Sequence, residues 1–112
     1  MEKNSLTREE EKAINKLKNI LKKFLGDDLV VMKLYGSRVK GDFDSDSDID
    51  IAIIVRGLNR EVKNHIFKEV AEIEVEHLLP LSTLILSEDE FNRLKHKERR
   101  IVLDIENEGI TL

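Results

Sequence analysis

The sequence predicts an α+β fold of α/β type, a small mixed β-sheet with helices packed against it. Three observations lead there. Short apolar runs at Leu29–Tyr35, Ile49–Val55 and Leu81–Leu86 have the length and composition of strands. Longer stretches around them repeat apolar residues at helical spacing. The resulting order is helix, strand, strand, helix, strand, helix, with a short strand at the end, which builds helices onto a small sheet.

Each element has its own signal. Thr7 followed by Glu10 is a capping box, and Ile14, Leu17, Leu21 and Phe24 then recur at helical spacing up to a stop at Gly26. Lys12, Lys16, Lys18, Lys22 and Lys23 make the opposite, solvated face of that helix. Leu29–Tyr35 is bounded by Asp27-Asp28 and Gly36. The segment from Gly36 to Ser47 is polar, lacks periodicity and is expected as a loop. Ile49–Val55 is continuously apolar, as expected of a central strand buried on both sides. Gly57 and Asn59 mark a turn. Val62, Ile66, Val70 and Ile73 are the apolar stripe of a second helix ending near His77. Pro80 stands where a strand tolerates a missing N–H. Ser87 with Glu90 is another capping box, opening a helix with Phe91 and Leu94. Ile101, Val102 and Ile105 belong to a further helix stopped by Gly109, and Ile110-Thr111-Leu112 is a candidate edge strand.

Composition narrows the function classes. The chain has 112 residues, formal net charge −4 and no Cys. A single domain over residues 1–112 is expected. The acidic balance argues against a broad basic groove, and so against nucleic acid as a direct high-affinity partner. The lack of Cys excludes a disulfide framework, a thiolate metal site and a cysteine nucleophile. No apolar run reaches the ~18 residues of a membrane span. The charged start is not a signal peptide, and a cytoplasmic location is expected.

The chemistry lies in Gly36–Asp50, between two predicted strands. Asp48 and Asp50 stand two apart at a strand start, so their side chains share a face. Adjacent carboxylates repel unless a cation sits between them. Mg²⁺ suits such a pair, since it takes one or two protein carboxylates and fills its other positions with water and substrate phosphates. Gly36 lets the backbone turn sharply and approach a ligand closely. The hydroxyl of Ser37 and the consecutive N–H groups there suit triphosphate oxygens. Arg38 adds a group fit for bidentate phosphate contact, and Lys40 is read as exposed. Asp42, Asp44 and Asp46 continue the alternation, but no frame through them supplies the Gly and Glu of a calcium loop, so they are read as solvated loop acids.

With Gly36-Ser37 and Asp48-Ile49-Asp50 in GSRVKGDFDSDSDID, the sequence resembles the minimal nucleotidyltransferases of the DNA polymerase β superfamily, as found in HEPN/MNT toxin–antitoxin pairs. Their signature is G-S, a short spacer and D-x-D. The resemblance implies the nucleotidyltransferase (polymerase β-like) fold. It implies that Gly36, Ser37 and Arg38 bind the nucleotide, and that Asp48 and Asp50 are catalytic and bind one or two Mg²⁺ ions. It implies transfer of a nucleoside monophosphate, AMP from ATP, to a hydroxyl. The implied acceptor is a tyrosine of a HEPN-type toxin, which the enzyme silences as an antitoxin.

One feature departs from that pattern. The superfamily usually takes a third carboxylate from the strand after the helix, yet Pro80–Leu86 contains no acid. Glu76 is the nearest substitute, with a solvated helix residue as its simpler reading, and the general base is unassigned. A rival expectation follows: a catalytically weak or inactive antitoxin or nucleotide-binding module that neutralises its partner by binding. His65, His77 and His96 form no metal spacing and are read as structural or surface groups, and Tyr35 is read as packed on the sheet. Lys95, Lys97, Arg99 and Arg100 are read as a solvated face.

Overall fold

A computed structural model describes residues 6–40 and 48–112, with the Lys40 side chain excluded. The readings for the first five residues, for Lys40 as an exposed side chain, and for Asp42, Asp44 and Asp46 lie outside the described residues.

The capping box predicted at Thr7 is present in both halves. Thr7 Oγ1 accepts from the Glu10 amide at 3.1 Å, and Glu10 accepts the Thr7 amide at 2.9 Å. Helix α1, Arg8–Leu25, follows and ends at Gly26, whose φ of 58° suits glycine. A short 3₁₀ turn, Gly26–Asp28, leads into β1, Leu29–Tyr35. The next segment corrects the loop expectation: its described part, Ser37–Lys40, is one helical turn, α2. Strand β2 is Ile49–Val55, and α3 is Arg60–His77, capped by Asn59, which accepts the Val62 amide at 2.8 Å. Strand β3 is Leu81–Ser87, α4 is Glu88–His96, α5 is Arg100–Glu108 and β4 is Ile110–Thr111. Only half of the second capping box forms. Ser87 accepts the Glu90 amide at 3.0 Å, but Ser87 is itself paired with Val55 in the sheet, and the Glu90 carboxylate turns to Arg93.

The strands make one four-stranded sheet in the order β3-β2-β1-β4. β1 is antiparallel to β2 and β4, whereas β2 and β3 are parallel, joined through α3. β2 is central, as its continuous apolar run predicted. Its side chains split between two cores. Ile49, Ile51, Ile53 and Val55 pack with Ile14, Leu17 and Leu21 of α1 and Ile66, Val70 and Ile73 of α3. Ala52 and Ile54 pack with Phe91 of α4 and with Val102 and Ile105 of α5. The sheet is thus covered by α1 and α3 on one face and by α4 and α5 on the other. Lys33 of β1 fastens the second layer by donating to the Ile105 and Glu106 carbonyls, both at 3.4 Å, where the α5 dipole is negative.

One ion pair stands out by its burial. Arg38 is 4% exposed, and its two terminal nitrogens donate to both oxygens of Glu10, at 2.8 and 3.1 Å. That pair ties α2 to the first turn of α1. The Arg38 hydrogen bond is the largest influence on Glu10 and holds its carboxyl below the ordinary value. A carboxyl lowered in the folded state stabilises the fold above its unfolded pKa, and that contribution disappears as pH falls through the folded pKa. Glu10→Gln keeps the reciprocal cap but leaves a buried guanidinium without this counter-charge. We expect a loss of about 3 kcal/mol at pH 7 in urea denaturation. We also expect the variant to lose less stability than the parent between pH 6 and pH 3.

Candidate active site

The site is assembled by the pairing of β1 with β2. Their register sets Tyr35 opposite Asp50, so the residue after Tyr35 turns beside that aspartate. This residue is Gly36, at φ +80°, a conformation side-chain-bearing residues rarely adopt. A Cβ on Gly36 would collide with Asp50 Oδ2, so the bend and the carboxylate lie in direct contact. Ser37 follows and opens α2, whose Val39 amide donates to the Gly36 carbonyl at 3.1 Å.

Asp50 points away from the α1/α3 core, because its neighbours Ile49 and Ile51 point into it. It is half-buried, and Asp48 just before the strand is exposed. Burial pushes the Asp50 carboxyl above its ordinary value, a hydrogen bond from Ser82 opposes that shift, and the Asp48 charge reinforces it. Burial, with the Asp50 charge beside it, raises the Tyr35 hydroxyl as well. Tyr35 packs against the α4/α5 core, as expected.

Sequence reasoning missed Ser82. It is the parallel partner of Asp50 in the β2–β3 register, and its hydroxyl counters the upward push that burial gives the Asp50 carboxyl. The available signal was a hydroxyl in an otherwise apolar strand, but its place beside Asp50 depends on inter-strand register.

Arg38, expected to contact the nucleotide, is buried, and its two terminal nitrogens donate to Glu10 on the α1 side of the sheet. Glu76 does not replace the third carboxylate. It projects from α3 and pairs with Lys16 of α1 at 2.6 Å, in the layer that Asp50 faces away from. The histidines stay outside the site. His65 stacks on Phe24 with ring centroids 4.0 Å apart, His77 lies beside Glu76, and His96 is exposed. Lys97, Arg99 and Arg100 are exposed, as read, while Lys95 lies over the Phe91 ring and 3.7 Å from Glu106.

Among the described residues no group of three or more His, Cys, Asp or Glu could hold a metal ion. Among the described residues, Asp48 and Asp50 offer two carboxylates, one exposed and one half-buried. This pair fits Mg²⁺, which retains water and substrate oxygens, better than ions that require a full protein cage. No described helix is long and apolar enough to cross a membrane.

Comparison with known proteins decides the family. The family described as "Polymerase beta, Nucleotidyltransferase" matches residues 15–112. The chain belongs to the polymerase β nucleotidyltransferase family. Among solved structures, a toxin–antitoxin MntA–HpeT mutant shares this nucleotidyltransferase fold at 17% identity and TM-score 0.52, covering 87% of this chain and 69% of that one. A Sulfolobus solfataricus protein assigned as a nucleotidyltransferase aligns at 19% identity and TM-score 0.47, over 95% of this chain and 86% of its own. No curated protein matches the chain.

The contact between Gly36 and Asp50 gives a direct test. Gly36→Ala combines a left-handed backbone with a side chain driven against Asp50 Oδ2. We expect a loss of at least ~2 kcal/mol in chemical denaturation. Gly26→Ala, also at positive φ but with open space around it, serves as the control and should cost less.

Proposed function

We propose that this nucleotidyltransferase moves a nucleoside monophosphate, AMP from ATP, onto a hydroxyl of a protein partner. The observation that carries the reading is the packing of the Gly36 bend against Asp50, which sets a candidate phosphate cradle beside a candidate metal pair. Asp48 and Asp50 would hold Mg²⁺, whose charge neutralises phosphate oxygens at the transferring phosphorus. Gly36 permits close approach of the triphosphate, and the Ser37 hydroxyl and nearby amides bond its oxygens. Ser82 orients the Asp50 carboxylate. Arg38 acts through Glu10, fixing the bend to α1. In the transfer, the acceptor oxygen bonds the α-phosphorus as the bond to pyrophosphate breaks, and the hydroxyl proton passes to solvent. The acceptor is a tyrosine of a HEPN-type toxin, and the chain is its antitoxin. The fold shared with MntA of a toxin–antitoxin pair supports that assignment. Residues 1–112 act as a single domain, located in the cytoplasm.

A specific observation favours a second reading. Ser82, not an acid, adjoins Asp50 on β3, so the described residues supply no base there. The chain would then bind nucleotide and neutralise its partner mainly by association.

The experiment uses α-labelled ATP, Mg²⁺ and the partner encoded beside this chain. Label should move to the partner, and transfer should fall to background in the Asp48→Asn, Asp50→Asn double variant. Transfer undiminished in that variant would refute the assigned ligands. No transfer by the parent, with suppression of the partner retained by the double variant, would establish the binding reading. Ser82→Ala should weaken Mg²⁺-dependent ATP binding by about 10-fold in calorimetry, as loss of a group orienting a ligand does. Its unfolding midpoint should stay close to the parent's.

A further inference from the structure

Helix α3 carries two apolar faces. One, built from Ile66, Val70 and Ile73, packs under the sheet. The other is formed by Phe67, Ala71 and Val75, which recur at helical spacing outside the core face, with Leu78 at the C-cap beyond them. Phe67 is 45%, Val75 74% and Leu78 89% exposed. Leu78 also adopts φ 53° at the helix end, a left-handed position that favours glycine, so an exposed leucine is retained there against both solvation and backbone preference. Over residues 67–78 the stripe runs about 16 Å along the helix.

The charges beside the stripe select its occupant. A groove of about 370 Å³ runs over Ala71 and Val75, edged by Lys68, Glu72 and Glu76. The neighbouring groove on α1, about 390 Å³, is lined by Lys12, Asn15, Lys16, Asn19 and Lys23. The Lys16–Glu76 ion pair, at 2.6 Å, joins the two grooves into one surface. Four lysines against two glutamates leave this surface positive, on a chain of net charge −4. A second copy fits poorly. An antiparallel twofold pairing of the stripes brings the two lysine grooves together, which like charge opposes.

We propose that the outer face of the α1/α3 layer docks an acidic amphipathic helix of a partner protein. Its apolar side covers Phe67, Ala71, Val75 and Leu78, and its carboxylates meet Lys12, Lys16 and Lys23. The inference uses the opposite side of the sheet from Asp48 and Asp50 and does not depend on the transferase reading.

The test uses two synthetic helical peptides with the same leucine stripe, one flanked by glutamates and one by lysines, each followed by fluorescence anisotropy. The acidic peptide should bind more tightly, and more weakly at 0.5 M than at 0.05 M NaCl. Val75→Asp should weaken it at least ~10-fold. The Lys12→Glu, Lys23→Glu double variant should reverse the preference between peptides. Circular dichroism should show both variants folded, since these side chains lie on the surface. Equal binding of the two peptides, no binding of either, or indifference to Val75→Asp would overturn the proposal. So would a dimer, seen in sedimentation, that Val75→Asp dissolves.

Discussion

The structure turns on the antiparallel pairing of β1 and β2. Strand register is quantised, because a slip of one residue exchanges the two faces of a strand. With Leu34 opposite Ile51 and Tyr35 opposite Asp50, the chain leaves β1 beside the carboxylate that opens β2. A slip of one residue would bury Asp50 among the side chains of α1 and α3 and bring Ile49 and Ile51 out of that core. The hydrophobic demand of β2 therefore fixes where Asp50 points. The contact with Gly36 is a consequence of core packing as much as of the motif itself, and Gly36 is tolerated at φ +80° because no side chain stands in the way.

The buried ion pair supports the same corner from the other side. Arg38 and Glu10 lie 28 residues apart in sequence, and both arms of the guanidinium are used. Desolvating a guanidinium is costly, so such a pair specifies geometry more than it adds net stability. Its effect is to tie the turn after β1 to the first turn of α1. The capping box that starts α1 therefore has a second role, because Glu10 both closes the helix end and anchors Arg38.

Features encoded within a few residues were legible in the sequence. The bounds of β1 and β2, the Thr7 cap and the stop at Gly26 follow from local pattern. What was not legible needed partners distant in the chain. Arg38 reads as a phosphate ligand, and its pairing with Glu10, 28 residues away, leaves no local mark. Glu76 reads as a spare acid until Lys16 claims it from another helix. Ser82 has no local mark of its relation to Asp50, which only the parallel register of β2 with β3 creates. The turn of helix in Ser37–Lys40 escaped because four residues give no periodicity to read.

The two layers divide the molecule by physical character. On the Asp50 side, charge is concentrated where desolvation and like-charge repulsion already oppose ionisation, an arrangement relieved by adding a cation. On the α1/α3 side, an apolar stripe on α3 lies open next to a lysine-lined groove on α1, an arrangement relieved by adding apolar area and negative charge. Each face is costly alone and complementary to something it lacks. Because the sheet stands between them, occupation of one face need not obstruct the other.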